Sequence, residues 1–310
     1  MEEIDTNNLL QLFKMDCELR NMTDASTRSY ISEVKIFYDF AKTYNYDIIN
    51  IDNQVLEDFL KYLRYNRGNS QSRVENYFSA LSSFYDFLIY KGLASKNIII
   101  PFRKRYLRRY KKNFTPAIRK LISVEDMSHF INCIIPIRDK AIATLFAKTG
   151  IRRGELVGIE VDDINWEESS ILLKPFRKRS NRLIFFDEET KNILRSWIKQ
   201  RELVVDNGVK SLFVNDYGQS IGRSGVYNSI VKWAKKLGFF DVGSDRIEDH
   251  FSCHNFRHWF TTHLRRAGMP RDFIKELRGD KRRDAMDVYY HIDKEELRKS
   301  YLACIPQLGV

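Results

Sequence analysis

No run in this chain approaches the roughly 18 consecutive apolar residues that a membrane-spanning helix needs, so no membrane partner is expected. The opening Met1-Glu2-Glu3-Ile4-Asp5 is acidic and polar and is not a signal peptide. Cysteines are few and scattered, at Cys17, Cys133, Cys253 and Cys304, with no Cys-x-x-Cys pair. That spacing argues against a disulfide framework or a zinc site, and for reduced thiols in a cytoplasmic protein. Carboxylates do not cluster and no His/Cys ligand spacing stands out, so no metal or other cofactor is expected. Internal repeats and low-complexity segments are likewise missing. Between Pro101 and Leu121 there is not one acidic residue.

What is present suits a folded protein with a polyanionic partner. The chain is 43% hydrophobic and 13% aromatic, enough for real cores. Its 310 residues accommodate two domains. A net charge of +11 favours nucleic acid.

The first hundred residues read as helices. Ser26-Thr27-Arg28-Ser29 opens a segment with Tyr30, Val34, Phe37 and Ala41 at helical spacing, and Val55, Phe59, Leu60 and Leu63 mark another. Ser70-Gln71-Ser72-Arg73 opens a third, whose Tyr77, Leu81, Phe84 and Leu88 form a broad apolar stripe up to Gly92. Arg28 and Arg73 stand at helix starts, where free backbone N–H groups favour phosphate, and are expected to contact DNA. Ordinary N-caps on a helical bundle are the alternative. From Pro101 to Leu121 the composition turns basic, with Arg103, Lys104, Arg105, Arg108 and Arg109 interleaved with Tyr106 and Tyr110. Charges this dense do not pack into a core, so the stretch is expected to be a linker or an exposed strand that neutralises phosphates.

A second domain opens at Ser123-Val-Glu-Asp126, a capping-box-like start. A helix from Arg138 to Lys148 leads into Thr149-Gly150-Ile151-Arg152-Arg153-Gly154-Glu155-Leu156, where Gly150 ends one helix and Arg152 begins the next. Ile171-Leu172-Leu173 and Leu183-Ile184-Phe185-Phe186 flank Lys174 to Arg182 and predict a hairpin with a basic tip. A helix with Leu194, Trp197 and Ile198, a short strand at Leu212-Phe213-Val214 and a helix from about Ser224 to Leu237 follow. Ser252 caps a helix running to Arg266, which Gly268 and Pro270 stop. His254 and Arg257 are three apart on that helix and share a face, while Phe256, Trp259, Phe260 and Leu264 face a core. A fixed cation beside an imidazole suits an anionic reaction centre. Leu277-Arg278-Gly279-Asp280 and Val288-Tyr289-Tyr290-His291 complete the set.

Arg152 in a Thr-Gly-Ile-Arg-x-x-Glu-Leu frame, a lysine on a hairpin, His254-x-x-Arg257 on a helix and a tyrosine after a Leu-x-Gly turn occur in one order and spacing. Together they resemble the tyrosine recombinases, or phage integrase family, over essentially the whole chain. The resemblance implies a mainly α protein with a small antiparallel β-sheet in its C-terminal domain. Residues 1–100 would form an α-helical, SAM-like core-binding domain and 101–121 a basic linker. Residues 122–310 would form a mixed α+β catalytic domain, with a tail from about residue 294. Arg152 and Arg257 would be the catalytic arginines, His254 the histidine between them and Tyr289 the nucleophile. Tyr289 is preferred to Tyr290 because Tyr289-Tyr290-His291 fits the family's Tyr-x-His frame. Lys178, nearer the hairpin tip, is preferred to Lys174 as the catalytic lysine. The family most often has His or Trp where this chain has Asp280. An ionised Asp donates no hydrogen bond to a phosphate, so Asp280 is expected to hold Arg257, Lys281 or His258 in place.

The chemistry accounts for these residue types. Attack on a phosphodiester builds negative charge on the non-bridging oxygens, which guanidiniums stabilise through charge-assisted hydrogen bonds. A phenol of pKa near roughly 10 needs a base or a cationic site to act at neutral pH. The expected function is a site-specific DNA recombinase, an integrase or a resolvase, forming a 3′-phosphotyrosyl intermediate without metal. A type IB-like topoisomerase and a non-catalytic DNA-binding protein are the alternatives. The implied partners are double-stranded recombination sites, further copies of the chain in a tetramer, and accessory DNA-bending proteins. The two domains would form a C-shaped clamp, and the tail would dock either on its own domain or on a neighbour.

Overall fold

In the computed structural model, residues 6–108, 121–175, 181–244, 246, 249–280 and 292–310 are described. Arg109, Lys178, Lys281, Tyr289, Tyr290 and His291 lie outside them, as does most of the basic stretch. The chain divides into two compact units, 1–115 and 116–310.

The first unit is helical: α1 (Thr6–Leu19), α2 (Asp24–Thr43), α3 (Asn53–Lys61), α4 (Gln71–Tyr90) and α5 (Ile99–Tyr106), with a π-helical turn at Tyr62–Asn66. Side-chain oxygens start three of these helices, since Thr23, Asp52 and Ser70 accept from the backbone N–H groups of Ser26, Val55 and Arg73. The second helix therefore begins before the Ser-Thr-Arg-Ser run, and Arg28 is an exposed residue of its second turn. The core is aromatic, with Phe37, Phe59, Tyr77, Phe78 and Phe84 all buried.

α5 departs from the expected linker or strand. Ile99 and Phe102 are buried three residues apart and Phe102 stacks on Phe78. Lys104 and Arg105 lie on the outer side, exposed. A narrow apolar stripe is enough to dock a two-turn helix, and the density of charge around it hid that stripe in the sequence.

The second unit contains α6 (Val124–Asn132), α7 (Ile137–Thr149), the single turn α8 (Arg153–Leu156), a 3-10 turn at Val161–Asp163 and a three-stranded sheet. Strands β1 (Ile164–Asn165), β2 (Ser170–Leu173) and β3 (Arg182–Phe185) run antiparallel in the order β1-β2-β3. Leu173 lies opposite Arg182, which fixes the hairpin register. Then come α9 (Glu188–Arg201), α10 (Arg223–Lys236), α11 (Cys253–Arg266), α12 (Arg271–Arg278) and α13 (Lys294–Cys304). Leu212-Phe213-Val214 contains a single isolated bridge rather than the expected strand, Val214 pairing with Ser220, although all three side chains are buried. Here burial alone produced the apolar run.

α7 is the central helix, buried on every side, and it carries a buried Lys148. The Lys148 ammonium donates to Asp187 (2.5 Å), Glu189 (2.5 Å) and the Pro306 carbonyl (2.7 Å). The tail therefore packs on its own domain: Leu297 and Tyr301 are buried, and the Leu308 and Gly309 N–H groups donate to the Glu189 carboxylate. Among the described residues no helix is long and apolar enough to cross a membrane.

Candidate active site

Gly150 ends α7 in the left-handed conformation (φ 58°), and a Cβ there would stand 2.4 Å from the Phe260 ring. The close turn delivers Arg152 to the N-cap of α8. Glu155, three residues on, closes a capping box by accepting from the Arg152 backbone N–H at 2.7 Å. On α11, Asn255 completes the corresponding box with Ser252, leaving His254 exposed and Arg257 buried one turn later.

These elements bring Arg152 and Arg257 to one point. Arg257 donates through Nη1 to the Gly150 carbonyl (2.8 Å), and through Nη2 to the Arg278 carbonyl (2.8 Å) and Asp280 Oδ1 (3.0 Å). Arg152 donates through Nη1 to the same Arg278 carbonyl (2.9 Å) and through Nη2 to the same Asp280 oxygen (3.3 Å). Both guanidiniums are thus hung from one backbone oxygen at the end of α12 and share one carboxylate. The Arg278 Nε lies 3.1 Å from Asp280 Oδ2, within ion-pair reach but not aligned for a hydrogen bond. Burial, with Arg152 and Arg278 adding repulsion, brings the Arg257 pKa down to about 9. The group therefore remains a cation at neutral pH.

Arg152, Arg257 and His254 line one cavity of about 270 Å³, together with Ile151, Arg153, Tyr227, Ser252 and Cys253. The His254 ring stands edge-on to His258, centroids 4.8 Å apart. The cavity is cationic, concave and open, as an anionic reaction centre requires.

Asp280 holds Arg257, one of its three expected partners, and also Arg152. Lys174 is engaged at the strand end by Glu160 (2.5 Å) and Asp163 (3.2 Å). Arg73 faces the buried Glu33 carboxylate at 2.8 Å and lies over the Tyr77 ring. Arg103 donates to Ser79 at 3.0 Å, and Lys104, Arg105 and Arg108 are exposed.

Arg182 was legible only as one more basic residue of the hairpin. It is buried and forms a two-pronged pair with Glu155, Nη1 to Oε1 and Nη2 to Oε2, both at 2.8 Å, while Nε donates to the Leu277 carbonyl at 3.1 Å. Gly279 (φ 59°) packs directly on this guanidinium, where a Cβ would meet Nη1 at 2.6 Å. The pair supports the segment that carries Arg152 and the turn that carries Asp280. Burial raises the Glu155 pKa, but the hydrogen bonds and charge of Arg182 outweigh it and bring the group down to about 2. A carboxylate depressed in the folded state contributes stability above its ordinary value of 4.5 and loses it as pH falls toward about 2. The melting temperature is therefore expected to drop across that window. Glu155→Gln is expected to remove this part of the pH dependence, as thermal melts at stepped pH would read.

Residues 121–296 match the model of the phage integrase family, and residues 9–94 that of the phage integrase N-terminal SAM-like domain. The chain belongs to the phage integrase family. It is accordingly a site-specific DNA recombinase of the tyrosine type, an enzyme that cleaves and rejoins DNA strands through a covalent intermediate. Tyrosine recombinase XerC of Thermodesulfovibrio yellowstonii is 27% identical over 286 residues, covering 88% of each chain. The XerC of Vibrio cholerae is 26% identical over 243 residues, 76% of this chain and 72% of its own. In fold, this phage integrase family member is similar to the Tn1549 transposon integrase solved with transposon right end DNA. That likeness has a TM-score of 0.69 at 17% identity and covers 95% of this chain and 98% of that one. It is also similar to the XerH recombinase bound to its difH substrate, with a TM-score of 0.64 at 19% identity over 94% and 83% of the two chains.

Proposed function

We propose that this recombinase binds the scissile phosphate of a double-stranded recombination site between Arg152 and Arg257, and that Tyr289 attacks it. The observation that carries the reading is the convergence of two guanidiniums, from separate elements, on the Arg278 carbonyl and on one anionic oxygen. A pair of cations already set to share an anion need not reorganise when the phosphorus becomes five-coordinate.

In this reading the Tyr289 phenol oxygen bonds to phosphorus as the bond to the 5′-oxygen breaks. The phenol proton passes toward His254, and Lys178 protonates the departing 5′-oxygen. The product is a 3′-phosphotyrosyl link with a free 5′-hydroxyl. That link retains the energy of the phosphodiester, so rejoining to a new strand needs no nucleotide hydrolysis. Exposed Lys104, Arg105 and Arg108 would add sequence-independent phosphate contacts, and Arg28 and Arg109 belong to the same proposal. Full strand exchange would take four copies on paired sites.

The test is covalent trapping on duplexes nicked beside the scissile bond, chosen from inverted repeats that the protein retains in a binding selection. An SDS-resistant adduct is expected, with the nucleotide mapped by mass spectrometry to Tyr289. An adduct on Tyr290 would reassign the nucleophile, and no adduct on any retained site would defeat the proposal.

A further inference from the structure

Asp280 stands where the substrate should. Its Oδ1 accepts from Nη2 of Arg257 at 3.0 Å and from Nη2 of Arg152 at 3.3 Å, distances and donors that equally suit a non-bridging phosphate oxygen. Both Nη2 protons of Arg257 are committed, one to the Arg278 carbonyl and one to Asp280. A phosphate oxygen on that edge must therefore take the carboxylate's place. The neutral anchors, Gly150 O and Arg278 O, hold the Arg257 guanidinium whichever anion is present. Asp280 is also built to leave. Its side chain is 30% exposed while that of Arg257 is 6% exposed. Its backbone N–H is fixed to the Lys275 carbonyl at 3.1 Å, so rotation of the side chain alone withdraws the carboxylate.

We infer that the Asp280 carboxylate occupies a phosphate-oxygen position between Arg152 and Arg257 until DNA displaces it. This rests on reading the two arginines as ligands of the scissile phosphate. The occupied site is partly self-neutralised, which lowers its affinity for stray anions and makes engagement depend on a phosphate delivered by correctly bound DNA. Asp280 is thus a specificity-determining residue, acting by competition with the substrate.

Inorganic phosphate titrated into the full chain at constant ionic strength tests this. Asp280→Asn keeps an acceptor of the same size and removes the charge. It is expected to bind phosphate about tenfold more tightly than the wild type, and Arg257→Lys is expected to lose that gain. Equal or weaker binding by Asp280→Asn, or no binding by either protein, overturns the inference. A second measurement uses the wild type alone. The carboxyl carbon resonance of Asp280 is expected to move as phosphate binds, and a resonance that stays fixed while phosphate saturates the site also overturns it. If Asp280→Asn binds phosphate more tightly but the trapping experiment yields no adduct, the displacement inference stands and the assigned chemistry falls.

Discussion

Arg257→Lys is expected to form the covalent DNA adduct roughly 10²–10³-fold more slowly than the wild type, the loss found when one pre-organised donor to an oxyanion is removed. Lysine keeps the positive charge, so a merely electrostatic role would predict a mild effect. The structure predicts a severe one because the guanidinium works as a fork. Nη1 is anchored on the Gly150 carbonyl while Nη2 reaches both the Arg278 carbonyl and the anion position. An ammonium is a single point and cannot span these partners. Single-turnover adduct formation on a nicked duplex would read the rate, and gel-shift affinity on the same duplex is expected to change little. A rate within a few-fold of the wild type would show that the anchored geometry is not what the reaction uses. The anchoring carbonyls also lose a buried donor in this variant, so its melting temperature is the necessary control.

Arg182→Ala is expected to destabilise the C-terminal unit by about 3–5 kcal/mol, the usual cost of stripping one partner from a buried ion pair. Arg182 and Glu155 are both buried, and the substitution would strip two 2.8 Å hydrogen bonds from the surviving Glu155 carboxylate. A space would also open under Gly279, whose backbone rests on the guanidinium. Urea unfolding would measure the loss. Arg182→Met combined with Glu155→Gln is expected to cost less than the sum of the two single changes, since the pair is coupled directly. Additive costs would mean that each side chain acts alone.

The way the candidate site is assembled explains which of its residues the sequence reveals. Arg152, His254 and Arg257 were legible because each sits at a place local rules describe: after a glycine stop, two residues past a serine cap, and one turn further on. Glu155 stood within the same frame as Arg152, yet its partner lies on β3, and nothing local links a helix turn to a strand that follows a hairpin. Arg182 was hidden for the opposite reason. It belongs to a crowd of basic residues, and only the register of β2 against β3, with Arg182 opposite Leu173, turns it inward while Lys174 is exposed. In the N-terminal unit the apolar stripes of α2, α3 and α4 declared themselves by period. The stripe of α5 did not, because two buried side chains carry it beside three consecutive basic ones. Arg73 was read correctly as a first-turn residue, but its attachment to Glu33 is a contact between two helices that no pattern within either one reports.

The oxygen that aligns Arg152 with Arg257 belongs to the peptide group of residue 278, not to any side chain. No codon change can delete a peptide oxygen. Genetic drift at position 278 can therefore alter the outer guanidinium while leaving the alignment untouched, and only a change in the path of the chain can disturb it. That path is set next door, where Gly279 turns with positive φ against Arg182 and has no room for even a methyl group. A mutational scan should accordingly find tolerance at 278 beside near-complete intolerance at 279, with the functional atom lying in the tolerant residue.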